Sequence, residues 1–166
     1  MNNLEIKARY PNDRALRLVQ SLDITEYYEF NQTDVYFNVP ENRLKLRSIN
    51  DESAELIYYA RPDRPEAKNS YYEIYQTKDP AQLQKLLTLI FGIKNTVIKT
   101  RKVYIYKDCR IHIDNVQGLG EFLEFEVVII HGRTAEEAQK LMQYLTEHFN
   151  ITAADLVNIS YTDLRN

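Results

Sequence analysis

Several short stretches of this 166-residue chain carry ionisable side chains at alternate positions. Arg43, Lys45 and Arg47 alternate with Leu44 and Leu46, Lys99 and Arg101 bracket Thr100, and Glu5, Lys7 and Arg9 alternate with Ile6 and Ala8. Glu124 and Glu126 alternate with Leu123, Phe125 and Val127, and Arg110, His112 and Asp114 alternate with Ile111 and Ile113. A strand sends successive side chains to opposite faces, so each set shares one face. Cations converging from several strands can hold a polyanion through charge-assisted hydrogen bonds, arginine with two parallel donors and lysine as a point charge. Carboxylates beside them would repel that anion unless they hold a hard divalent cation, Mg²⁺ or Mn²⁺, whose oxygen ligands are shared between protein and phosphate. Glu5, Glu124 and Glu126 are the acidic set suited to that task. The metal would stabilise charge developing on a transferring phosphorus, with the arginines holding the phosphates in line.

Such side chains need strands to aim them. Thirteen tyrosines against four glycines and five prolines describe a chain rich in strand formers and poor in loops. Turn signals at Pro11-Asn12-Asp13, Pro40-Glu41-Asn42, Asn50-Asp51-Glu52, Arg61 through Lys68, Asp79-Pro80 and Gly118-Leu119-Gly120 divide it. Between them, alternation predicts strands near 3–10, 26–38, 43–49, 54–61, 70–77, 95–107, 109–116 and 121–131. Three helices interrupt the strands. Asn12 or Asp13 is expected to cap the first, and Asp79 with Pro80 starts the second. Thr134 and Glu137 form a capping-box pattern for the third. A last amphipathic turn, Ala153 to Leu164, is expected to pack back onto the body.

Taken one strand at a time, charged alternation describes the solvent face of an open sheet. Five strands repeat it, however, and like charges on one face are unfavourable unless an opposite charge or a ligand compensates them. Closing the sheet, with apolar faces outward under the helices and charged faces inward, answers both points. The expected fold is therefore α+β: an eight-stranded antiparallel β-barrel with a charged lumen and helices packed outside, in one domain spanning 1–166. A balance of 21 Lys plus Arg against 24 Asp plus Glu, net −3, argues against a nucleic acid polymer or an anionic membrane as partner. The single cysteine, Cys109, builds no disulfide framework and reads as a strand filler, and the chain opens on Met1-Asn2-Asn3 with no charged-then-apolar leader. The expected setting is cytoplasmic. The longest apolar run, Val127 to Ile130, is far below the roughly 20 residues of a membrane helix.

Taken in order, Asn3-Leu4-Glu5-Ile6-Lys7, Arg43 to Arg47, Leu56 to Pro62, Lys99-Thr100-Arg101, Arg110 to Asp114, Gly118 to Glu126 and Ser160 to Leu164 resemble the CYTH superfamily. These are the triphosphate tunnel metalloenzymes that include class IV adenylate cyclases and thiamine triphosphatases. The resemblance covers nearly the whole chain and implies an eight-stranded antiparallel barrel around a tunnel. It implies that Glu5, Glu124 and Glu126 coordinate Mg²⁺ or Mn²⁺, and that Lys7, Lys45, Arg47, Lys99, Arg101 and Arg110 contact the triphosphate. Arg43 joins them as a candidate through the face it shares with Lys45 and Arg47. Asp114 falls where the family has an inward aspartate near the reacting phosphates, and Arg61 where cyclases and triphosphatases often place a lysine; these are the catalytic candidates. Asn3 stands where the family's opening motif has its first glutamate.

The resemblance is nearest to the class IV cyclase-like branch, which implies conversion of ATP to cyclic AMP and pyrophosphate and a homodimer. Alternatives are a hydrolase of tripolyphosphate or thiamine triphosphate, a non-catalytic polyphosphate or nucleotide binder, and an interaction module with a solvated charged sheet. His112 is expected to be a hydrogen-bonded lumen residue. Glu73 is expected to face the lumen, and Arg61 to Asn69 to form either a mobile lid over one mouth of the tunnel or a plain solvent loop.

Overall fold

The computed structural model describes residues 2–50, 52–60, 71–129 and 134–165. Arg61 and the loop up to Asn69 lie outside the described residues. Eight strands are present: β1 (Asn2–Arg9), β2 (Glu26–Phe37), β3 (Arg43–Ile49), β4 (Ser53–Ala60), β5 (Tyr71–Thr77), β6 (Ile93–Tyr106), β7 (Cys109–Val116) and β8 (Gly120–Ile129). All neighbours are antiparallel, in the order β1-β8-β7-β6-β2-β3-β4-β5. Among the described residues no ladder joins β1 to β5, yet all eight strands contribute to one central cavity. The sheet is thus curled into a barrel, as its charge pattern requires.

Three helices lie outside it: α1 (Asn12–Val19), α2 (Pro80–Phe91) and α3 (Ala135–His148). α3 opens on the expected capping box, with Thr134 Oγ1 accepting from the Glu137 N–H and the Glu137 carboxylate accepting from the Thr134 N–H. α2 opens with the Gln82 N–H donating to Asp79 Oδ1 at 3.1 Å and Pro80 in its first turn. It stops at Gly92, whose φ of 71° lets the chain turn directly into β6, two residues earlier than alternation predicts. α1 departs from expectation. Its cap is Pro11, which offers no side-chain acceptor, and the Asn12 N–H instead donates to Glu121 Oε2 at 3.0 Å. A carboxylate from the start of β8 satisfies the helix end that Asn12 or Asp13 was expected to cap.

The outer faces are apolar. Ala8, Ile111, Ile113, Leu123, Phe125 and Val127 bury themselves against Ala15 and Val19 of α1 and Ala138, Leu141, Met142, Leu145 and Phe149 around α3. Val35, Phe37, Leu46 and Ala54 do the same beneath Leu87 of α2. Leu145 has no exposed surface, so Leu145→Ala is expected to cost about 2–5 kcal/mol in denaturant unfolding while leaving the charged tunnel intact. The inner face is not charged throughout, contrary to expectation. Tyr36, Ile57, Tyr59, Val97, Val116 and Phe122 form an apolar floor at one end, completed by Tyr161.

Tyr161 comes from the C-terminal segment, which does more than pack against the body. The Val157 N–H donates to the Lys7 carbonyl and the Arg9 N–H to the Asp155 carbonyl, both at 2.8 Å, along the edge of β1 away from β8. The segment then enters the barrel floor and ends in a short 3-10 turn, Asp163–Arg165. No helix among the described residues is long and apolar enough to cross a membrane.

Candidate functional site

Register explains the repeated charges. Asp34 pairs across from Arg47, Arg101 from Asp114, Lys7 from Glu124, and Arg110 from Glu126, so each like-charged strand face meets its opposite on the neighbouring strand. All of these except Asp114 line a cavity of about 320 Å³.

Two units of one aspartate and two cations stand on different parts of its wall. In the first, Arg101 donates from Nε to Asp114 Oδ1 at 2.7 Å and from Nη2 to Oδ2 at 2.6 Å, while Lys99 Nζ donates to Oδ2 at 3.1 Å. The Tyr161 hydroxyl adds a fourth bond, to Oδ2 at 2.9 Å. Its ring lies 4.4 Å from Lys7 Nζ and 5.0 Å from Lys99 Nζ, a shared cation–π platform. Burial alone would raise the Asp114 carboxyl; the Arg101 and Lys99 charges override it and hold it well below the usual carboxylate range. In the second unit, Arg47 donates to both Asp34 oxygens at 3.0 and 3.2 Å, Lys45 Nζ to Oδ2 at 2.8 Å and Gln32 Nε2 to Oδ1 at 3.1 Å. The Lys45 and Arg47 charges likewise overcome burial and keep Asp34 ionised.

Away from the floor the cavity becomes acidic. Glu124 lies 3.9 Å from Lys7 and 3.5 Å from Arg101, and these charges, outweighing burial, hold its carboxyl well below the usual range. His112 Nδ1 is 3.3 Å from Glu124 Oε1. Burial and then the Arg101 charge push the imidazole down, so at neutral pH it is uncharged, and the ionised Glu124 assigns its proton to Nδ1. Arg110 Nη1 reaches both Glu126 oxygens at 3.2 Å. The Asn3 amide also donates to Glu126 Oε1, at a place where a glutamate would repel it.

Of the residues singled out in the sequence, Glu5, Lys7, Lys45, Arg47, Lys99, Arg101, Arg110, Glu124 and Glu126 line this cavity together. Arg43 does not. It pairs with Asp163 at 2.7 Å and borders a separate pocket of about 170 Å³ beyond Tyr36, because the C-terminal segment brings a carboxylate to its end of β3. Asp114 is fully buried behind Arg101 and Lys99, accepts hydrogen bonds from both, and is not among the residues that line the cavity. Glu73 is exposed; Ile57 pairs with Ile74, which turns Ile74 inward and Glu73 outward. Asp34, Glu55, Tyr36, Tyr59 and Tyr161 are lining residues the sequence reading missed. The alternation of Gln32, Asp34 and Tyr36 with Thr33, Val35 and Phe37 carried a signal for two of them.

Oxygen donors at the acidic end suit a hard cation. Glu5, Glu124 and Glu126 offer carboxylates, and Asn3 Oδ1 is buried with no hydrogen-bond partner among the described residues. Among the described residues no three Asp, Glu, His or Cys side chains are gathered to cage an ion unaided. Mg²⁺ ordinarily takes one or two carboxylates and completes its shell with water and substrate phosphates, so the donor set fits that mode.

The fold and the cavity define a small charged-tunnel β-barrel. The chain belongs to the CYTH family: the CYTH domain profile matches residues 1–161. A candidate adenylate cyclase of Methanocaldococcus jannaschii is 23% identical over 173 residues, covering 99% of both chains. Among solved structures, the PH1012 protein of Pyrococcus horikoshii superposes with a TM-score of 0.87 at 23% identity over 99% of each chain. A Hippeastrum protein described as a candidate adenylyl cyclase with a dominant triphosphatase activity superposes at 0.74, with 13% identity over 99% of this chain and 94% of its own.

Proposed function

We propose that the protein is a divalent-metal-dependent enzyme acting on a small-molecule triphosphate held in the tunnel. The observation that carries this reading is the pair of aspartate-anchored cation units facing one cavity whose far end is lined by carboxylates. Lys45 with Arg47 and Lys99 with Arg101 present four preorganised basic groups to phosphate oxygens, and Lys7 and Arg110 extend the row. Asp34 and Asp114 fix the directions of those donors. Glu5, Glu124 and Glu126, with the Asn3 amide oxygen, would hold Mg²⁺ or Mn²⁺, which when bound draws charge from phosphate oxygens. His112 and Lys7 hold the Glu124 carboxylate in place from either side.

The first assignment is cyclisation of ATP: the ribose 3′-oxygen bonds to the α-phosphorus, the bond to the β-phosphate oxygen breaks, and pyrophosphate leaves with the hydroxyl proton released. The archaeal relative supports it. The second is hydrolysis of tripolyphosphate or thiamine triphosphate, supported by the activity described for the Hippeastrum neighbour. ATP, tripolyphosphate and thiamine triphosphate, each incubated with Mg²⁺ or Mn²⁺ and read for cyclic AMP, pyrophosphate and orthophosphate, separate the two. Equimolar cyclic AMP and pyrophosphate are expected from ATP. Orthophosphate without cyclic AMP moves the assignment to a hydrolase, and metal-dependent binding with no product leaves a binder.

A further inference from the structure

The two cations bound to Asp34 do not share it equally. Arg47 takes the carboxylate through two donors and never releases its proton, so it offsets most of the Asp34 charge and leaves much of the Lys45 ammonium charge in surplus. That surplus sits where little water reaches, Lys45 being 8% exposed. The groups facing it are Asp34 and Tyr36 from β2, Arg47 from its own strand, Tyr59 from β4 with Glu55 across from Arg47, and Lys99 from β6. Burial and then the Arg47 charge bring Lys45 down to about 7, with Asp34 pulling the other way. Tyr36, raised by burial and by Asp34, stays neutral and supplies only its ring, 5.5 Å away. An incoming polyanion reverses the balance, since it makes the charged lysine the favoured form.

We propose that triphosphate binding is coupled to proton uptake from solvent by Lys45, and that Asp34 is the positioning residue that sets the pH at which Lys45 is ready. This rests on the triphosphate reading of the tunnel. Affinity then falls as pH rises through neutrality, because the proton must be taken from ever scarcer supply.

Calorimetry with inorganic tripolyphosphate and Mg²⁺, in buffers of different ionisation enthalpy, counts the protons. At pH 7.5 the wild type is expected to take up roughly 0.7 proton more than Lys45→Arg, in which the position is permanently charged. Asp34→Asn removes the anion that keeps Lys45 protonated. It should weaken binding at pH 8.5 by about tenfold more than at pH 5.5, and adding Lys45→Arg should flatten that difference. Asp34→Glu, which keeps the charge, should retain the wild-type profile. Equal proton uptake by wild type and Lys45→Arg overturns the inference while leaving the tunnel reading intact. An Asp34→Asn loss that is the same at both pH values overturns the role of Asp34. No tripolyphosphate binding by the wild type at any pH overturns both.

Discussion

Asp114→Ala is expected to lower the unfolding free energy by about 3–5 kcal/mol, the largest stability loss of any single change in the tunnel. The carboxylate is fully buried and receives bonds from Arg101, Lys99 and the Tyr161 hydroxyl. Its removal leaves two cations in the barrel interior sharing Glu124, 3.5 Å from Arg101, as their remaining anionic neighbour on that wall. Denaturant unfolding monitored by circular dichroism checks the magnitude. The pH dependence has a definite sign. Because Asp114 ionises far more readily in the folded state than unfolded, its contribution is complete above the unfolded value near 4 and is lost as pH falls toward the folded one. Wild type should therefore lose stability on acidification below about pH 4, and Asp114→Ala should lose less. An alanine variant as stable as wild type would mean that the aspartate does not anchor the pair.

Arg47→Ala and Glu126→Ala are each expected to reduce kcat/KM for the best triphosphate substrate, at a fixed metal concentration that half-saturates the wild type, by about 100- to 1,000-fold, for different reasons. Arg47 supplies a forked donor on a wall where Asp34 holds it, so its loss should fall mainly on substrate affinity and persist at every metal concentration. Glu126 stands among oxygen donors with Glu5 and Asn3, so its loss should raise the metal concentration needed for half-maximal activity. Initial rates over a grid of substrate and Mg²⁺ or Mn²⁺ concentrations distinguish the two. If neither variant changes phosphate binding or turnover, the charged face is only a solvated sheet.

Much of this architecture could be read from one chain because strands that face a tunnel alternate as strictly as strands that face a core. Arg43 to Arg47 and Phe122 to Val127 showed their two faces without any neighbour. What could not be read required register or a distant partner. Asp34 is a lone acid in Gln32 to Phe37, and only the pairing of β2 with β3 sets it across from Arg47. Tyr161 follows no periodic pattern, since it reaches the floor from an irregular segment. Arg43 has the same alternation as Lys45 and is drawn away by Asp163, 120 residues later. Asp114 alternates with His112 and Arg110 but lies deeper, where the Tyr161 hydroxyl of the aromatic floor reaches it. Depth along a tunnel leaves no mark in an alternating pattern.

The edge of β1 offers a consequence for the order in which the molecule forms. β1, made first, lies between β8 and residues 155–157, so both of its neighbours come from the last third of the chain. Contacts of such separation form late and make folding slow. The strands from β2 to β7 can assemble while β1 waits, but Lys7 and Glu5 join the cavity wall only when β8 arrives, and the floor closes only with Tyr161. During synthesis the cavity therefore stays incomplete until Tyr161 has emerged, and a shorter nascent chain has the walls of the tunnel without its floor.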